Sequence, residues 1–183
     1  MAQVKGSGFT GIRSFLDERD PDARQRMRAL LSADDAEILE EALAIGWYPI
    51  DTYVRVIAAI GPAIGLGSAE GARELGRSSA DYDLSKIHRL FLRLANPAYV
   101  LEKAGEYWGR FYDVGEWRVT RESPQRAVGE LRGFPVPDAA YCEFLVGYIG
   151  RMFELVGAKN VRFTHPRCRL HGAEACVFVG EWR

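Results

Sequence analysis

The side chains best suited to chemistry gather in the last part of this chain. Its cysteines are Cys142, Cys168 and Cys176, and the run His165-Pro166-Arg167-Cys168-Arg169-Leu170-His171-Gly172-Ala173-Glu174-Ala175-Cys176 adds two imidazoles. Cysteine sulfur and histidine nitrogen are the donors of four-coordinate structural zinc, and three cysteines with one histidine are a standard set. Two other readings compete on spacing alone. A free cysteine is often a small buried hydrophobe, and Cys142, between Tyr141 and Phe144 on an apolar stretch, suits that role. A Cys168–Cys176 disulfide is the third possibility. Cys168 lies between Arg167 and Arg169, which argues against a core role. No secretory signal is read at the N-terminus, so a cytoplasmic, reducing environment is expected, which favours metal over a bridge.

These donors need elements to position them. Val161-Arg162-Phe163-Thr164 and Val177-Phe178-Val179 are β-branched and aromatic runs bounded by Pro166, Gly172 and Gly180. They predict two strands joined by a folded loop, with His165, Cys168 and Cys176 at its tip. Ala139 to Leu155 predicts a helix that brings Cys142 from elsewhere. A metal there ties the helix to the hairpin.

Upstream, Asp20-Pro21 starts a helix with Met27, Leu30 and Leu31 on one side, and Ser32-Ala33-Asp34-Asp35 starts a second that stops at Gly46. Trp47 to Ile50 predicts an aromatic turn, followed by a helix from Thr52 to about Ile60 and a short one from Ser68 to near Gly76. Asp83 to Leu94 carries an apolar stripe of Leu84, Ile87, Leu90, Phe91 and Leu94, and Asn96-Pro97 opens another helix to Phe111. Trp117–Thr120 and Ala127–Leu131 alternate around Ser123-Pro124 as a hairpin. Helices first and strands in hairpins predict an α+β fold, N-terminal helices packed on an antiparallel four-stranded sheet. Residues 1–19, opening on the glycine-rich Gly6 to Gly11, are expected to form a flexible lead-in. Residues 20–183 are expected to form a single ligand-binding domain with the zinc site in its C-terminal third.

Composition narrows the function classes. Of 183 residues, 48% are hydrophobic and 11% aromatic, as in a globular chain. Basic and acidic residues number 24 and 25, a balance that argues against a nucleic-acid partner. No apolar run approaches the ~20 residues of a membrane span. There is no Gly-x-Ser-x-Gly elbow, no Gly-x-Gly-x-x-Gly fingerprint and no His-Glu-x-x-His motif, so an enzyme is not expected.

The run from Ala140-Tyr141-Cys142 to Cys168-Arg169-Leu170-His171-Gly172-Ala173-Glu174-Ala175-Cys176-Val177-Phe178 resembles the end of a 4-vinyl-reductase domain. That family closes on Cys, a helix, a glycine turn, then Cys-Arg-x-x-Gly-x-x-x-Cys-x-Phe. The resemblance extends to sensor domains of phenol-responsive regulators and implies zinc as cofactor, with a fourth ligand three residues before the middle cysteine. His165 stands there in place of the family's carboxylate, and His171 is the reserve. Val4-Lys5-Gly6-Ser7, Gly46-Trp47-Tyr48-Pro49 and Trp108-Gly109-Arg110-Phe111-Tyr112 resemble a group of paralogues expanded in myxobacteria. Both groups imply the heme-nitric-oxide-binding and TRAPP-like fold. The Tyr-x-Ser-x-Arg motif of its heme binders is absent here, and His88 reads more simply as a surface or core residue than as a heme ligand.

By the same resemblance, the chain is expected to be a cytoplasmic sensor or binding module for a small hydrophobic or aromatic ligand. The ligand would lie between helices and sheet against Tyr107, Trp108 and Trp117. A homodimer and a further protein partner are also expected. Two alternatives stand beside this reading: a TRAPP-like dimeric scaffold without ligand, and an accessory protein in tetrapyrrole or aromatic metabolism.

Overall fold

A computed structural model describes residues 1–87 and 96–183 of the chain. Among them the elements run β1 (Gln3–Lys5), α1 (Ser7–Arg19), α2 (Ala23–Leu30), α3 (Ala33–Glu41), β2 (Trp47–Pro49), α4 (Ile50–Ala63) and α5 (Ser68–Ile87). There follow α6 (Pro97–Phe111), β3 (Glu116–Ser123), β4 (Arg126–Arg132), α7 (Ala139–Leu155), β5 (Arg162–Arg167), a 3-10 turn (Arg169–His171) and β6 (Cys176–Glu181). The expected α+β architecture is present: helices pack on a four-stranded antiparallel sheet of order β3-β4-β6-β5. A second, two-stranded sheet pairs β1 with β2. No single helix among the described residues is long and apolar enough to cross a membrane.

Helix boundaries follow local chemistry. Asp138 Oδ1 accepts the Tyr141 N–H at 3.0 Å and starts α7, and Asn96 Oδ1 does the same for Tyr99 at the start of α6, where Pro97 supplies a preset φ. α7 is apolar on most of its circumference, with Tyr141, Cys142, Phe144, Leu145, Val146 and Phe153 buried. Such a helix belongs inside a fold, and α7 runs between α5 and the sheet.

Three expectations are corrected. The flexible lead-in is instead β1 and α1. Phe9, Ile12, Phe15 and Leu16 of α1 are buried at helical spacing, and Gly8 lies against the Tyr53 ring, so that glycine marks close packing rather than freedom. Trp47–Pro49 is a strand, held by Gln3↔Pro49 and Lys5↔Trp47 pairing, rather than a turn. The helix expected to end near Gly76 continues to Ile87. Gly76 is internal because a Cβ there would lie 2.1 Å from the Phe144 carbonyl oxygen, and on the facing helix a Cβ on Gly147 would lie 2.2 Å from that of Arg73. The apolar stripe expected from Leu84 to Leu94, with His88, lies outside the described residues beyond Ile87.

This contact gives a prediction. Gly147→Leu must push α5 and α7 apart and is expected to cost about 3 kcal/mol, the upper range for overpacking. Gly109→Ala, at an exposed α6 position with open space around it, should add about 0.5–1 kcal/mol through helix propensity. Denaturant melts of both variants check the pair; a Gly147→Leu protein as stable as the parent would refute the packing account.

Candidate metal centre and ligand cavity

The β5–β6 hairpin and the first turn of α7 bring four donors together. One ligand atom each from Cys142, His165, Cys168 and Cys176 lies within 4.8 Å of all the others. The sulfurs are 4.0 Å apart for Cys142–Cys176 and 3.8 Å for Cys168–Cys176, and all three thiols are free and buried. A tetrahedral ion with Zn–S bonds of about 2.3 Å separates its sulfurs by about 3.8 Å, so the spacing fits zinc.

Each donor has a local reason for its place. Pairing of β5 with β6 slips between Thr164↔Val179 and Arg167↔Val177, one residue more on β5 than on β6. Such a bulge re-aims a side chain, and it falls at His165-Pro166 on an edge strand that tolerates proline. The His165 ring stacks on Phe178 at 4.5 Å, and its Nε2 is buried without a hydrogen-bond partner among the described residues. Cys168 precedes the 3-10 turn, which Gly172 closes at φ 83°. His171, the reserve donor, is exposed and stands outside the cluster.

The electrostatics of the cluster are uneven. The Cys142 thiol hydrogen-bonds to Cys176 and holds that thiol down at about 4, while Cys142 itself is raised in return. Burial raises Cys168. The Arg169 N–H also points to the Cys176 sulfur at 3.5 Å, and the Arg169 guanidinium donates to the Phe134 carbonyl, pinning the loop to the next layer. Thiolate is the ligand form of cysteine, and backbone donors stabilise it.

A cavity of about 220 Å³ lies between the sheet and helices α1, α5, α6 and α7. Tyr107, Trp108 and Trp117, the residues singled out from the sequence, all line it. Trp108 stacks on Tyr112 at 4.1 Å and runs nearly parallel to Trp117 at 5.9 Å. Its indole N–H is already used, donating to the Val114 carbonyl at 3.0 Å, so that side chain offers a ring face and no donor. Gly129 leaves room for Trp117 to lie flat on the sheet, since a Cβ there would come within 2.7 Å of the indole.

Sequence reasoning missed the polar end of this cavity. Asp83 on α5 lines it, with Tyr53 of α4, Tyr112 after α6 and Tyr148 of α7. Tyr148 Oη donates to Asp83 Oδ2 at 2.9 Å. Burial pushes the Asp83 carboxyl up to about 6, although the Tyr148 hydrogen bond pulls the other way, and burial raises all three phenols. The signal for Asp83 was its place on the inward stripe of α5, at helical spacing from Ala72, Leu75 and Ser79, legible only once α5 is taken as continuous.

Neither a family model nor a curated protein sequence matches the chain, so the resemblances to the 4-vinyl-reductase domain and the myxobacterial group find no such support. Solved structures do match. An H-NOX protein from Shewanella oneidensis in the Fe(II)NO ligation state aligns with a TM-score of 0.74 at 10% identity, over 98% of this chain and 99% of that one. The Fe(II) unliganded H-NOX protein from K. algicida gives 0.72 at 10% identity, over 98% and 96%. The IWP-051-bound H-NOX from Shewanella woodyi in the Fe(II)CO ligation state gives 0.65 at 12%, over 96% and 93%. The chain therefore has the heme-nitric-oxide-binding fold, as expected.

The described cavity residues lack the commonest proximal ligands of a heme. Neither imidazole nor thiolate is among them, and two propionates would need cationic partners. Among the described lining residues the cation is Lys5, whose ammonium sits over the Trp47 ring at 4.6 Å, and Asp83 adds a negative charge of its own.

The buried acid sets a pH dependence. Its folded pKa is raised, so the neutral form stabilises the fold below about pH 4, and that contribution is lost as pH rises through about 6. Asp83→Asn removes the charged form and keeps an acceptor for Tyr148. We expect it to be more stable than the parent by about 3 kcal/mol at neutral pH and equal to it near pH 4. Denaturant melts at the two pH values decide; an Asp83→Asn protein no more stable at neutral pH would show that the carboxylate is already compensated.

Proposed function

We propose that this chain is a small-molecule sensor or binding module, of the kind its 4-vinyl-reductase resemblance implies, with a structural zinc. The ligand is small, largely apolar and aromatic. The observation that carries the reading is the cavity itself: a partly open space walled by indole, phenol and aliphatic side chains, with few polar groups at one end, is the usual form of a small-molecule site. Zinc, held by Cys142, His165, Cys168 and Cys176, would be a saturated structural ion that joins α7 to the terminal hairpin and leaves no position for catalytic water.

A second reading, a dimeric scaffold, is favoured by one feature. Leu43 and Ile45, 66% and 82% exposed, lie beside the partly exposed Trp47 and form an apolar rim suited to a second copy or a protein partner. The two readings part at the cavity, where the scaffold needs no ligand.

For the metal, protein purified without chelator is expected to carry one zinc per chain by elemental analysis. Cys168→Ser should lose it and melt many degrees lower, because binding energy of a structural ion is folding energy. A metal-free parent, or a Cys168→Ser variant that melts like it, would end the zinc proposal. For the cavity, small neutral aromatics are expected to quench Trp108 and Trp117 and to stabilise the fold by about 2.7 kcal/mol at a hundred times their dissociation constant. Ala104→Trp, which fills the cavity from α6, should abolish both effects. A panel of phenols and other small aromatics that changes neither reading would favour the scaffold.

A further inference from the structure

The polar end of the cavity carries more information about the ligand than its aromatic wall. Asp83 is largely buried, and its described hydrogen-bond partner is the neutral Tyr148 phenol. Among the described residues, the neighbouring cations are committed elsewhere. On α5 and α7, Arg77 pairs with Glu154 at 2.9 Å and Arg151 with Asp81 at 2.9 Å, and Lys5 sits over Trp47. Among the described residues no cation pairs with Asp83. A buried carboxylate without a charged partner is costly, and a cation supplied from outside would offset that cost.

The groups around Asp83 select the sign of that partner. Tyr53, Tyr112 and Tyr148 surround the polar end, with Tyr107 and Trp108 further along the wall. Their π faces attract cations, and phenol oxygens accept hydrogen bonds from an ammonium. An anionic ligand would meet Asp83 with no free base among the described lining residues to offset it. A neutral alcohol or phenol could hydrogen-bond to the carboxylate but would leave its charge uncompensated.

We propose that the cavity takes a small amine: its ammonium pairs with Asp83 among the phenols, and its apolar body lies against Trp108 and Trp117. This rests on the reading of the cavity as a small-molecule site and names the ligand class for it.

Three probes that share a phenylethyl body separate the possibilities: 2-phenylethylammonium, 2-phenylethanol and 3-phenylpropanoate, titrated by tryptophan fluorescence and calorimetry against the parent and Asp83→Asn. The parent is expected to bind the ammonium at least about tenfold more tightly than the alcohol, the ratio 1.4 kcal/mol supplies. In Asp83→Asn the ammonium should fall to the level of the alcohol, whose own affinity is unchanged. Folding is not at issue, since the substitution removes a destabilising charge. If the alcohol or the carboxylate binds the parent as well as the ammonium does, or if the preference survives in Asp83→Asn, the amine assignment is overturned while the cavity remains a ligand site. If none of the three probes nor any neutral aromatic binds, the cavity reading falls with it.

Discussion

The near-contact of α5 and α7 is the constraint on which the rest of this molecule depends. With Gly76 and Gly147 at the crossing, backbone meets backbone, and each helix presses on a carbonyl of the other. Close packing at this distance holds α7 deep enough to cover the sheet with its opposite face. It also fixes the rotation of both helices, so that Asp83 and Tyr148 meet at 2.9 Å in an otherwise apolar cavity. A single added methyl at either glycine would disturb the core and the cavity together, because interiors at crystal-like density transmit strain.

The two candidate sites share one helix. Cys142 lies in the first turn of α7 and Tyr148 two turns later, so the donor cluster anchors one end of the helix whose middle faces the cavity. On the sheet side, Phe178 of β6 stacks on His165 at 4.5 Å and touches Trp117 at 5.3 Å. Two packed routes therefore join the cysteine–histidine cluster to the cavity wall, one along α7 and one through ring contacts. Loss of the hairpin anchor would be felt at Trp117 without any change in the cavity residues themselves.

Much of this was legible in the sequence, and the failures have particular causes. The strand runs around Val161 and Val177 and the apolar helix before them point to the four side chains that the fold brings within 4.8 Å of one another, because cysteine and histidine spacing survives without tertiary information. Aromatic content points to Tyr107, Trp108 and Trp117, which line the cavity. Glycine was the source of error. The run Gly6 to Gly11 reads as slack although Phe9, Ile12, Phe15 and Leu16 carry a helical period, and Gly76 reads as a stop although it sits inside α5. A glycine that permits close approach has the same one-letter signature as one that ends a helix, and only the partner element tells them apart. Breaking α5 at Gly76 then hid the stripe that carries Asp83 inward.

The order of the main sheet sets a schedule for the chain. β6 is the last strand in sequence, yet it lies in the interior of the sheet between β4 and β5. As the protein is synthesised, α1 to α7 emerge while one whole side of β4 has no neighbour, and an unpaired strand edge is a template for other chains. The nascent chain can close that edge only when residues 176–181 have left the ribosome, and with Cys176 comes the last of the four candidate donors. Completion of the sheet and completion of the donor set thus fall on the same few residues, so truncations within them would expose a sticky edge and an unfinished thiol cluster at once.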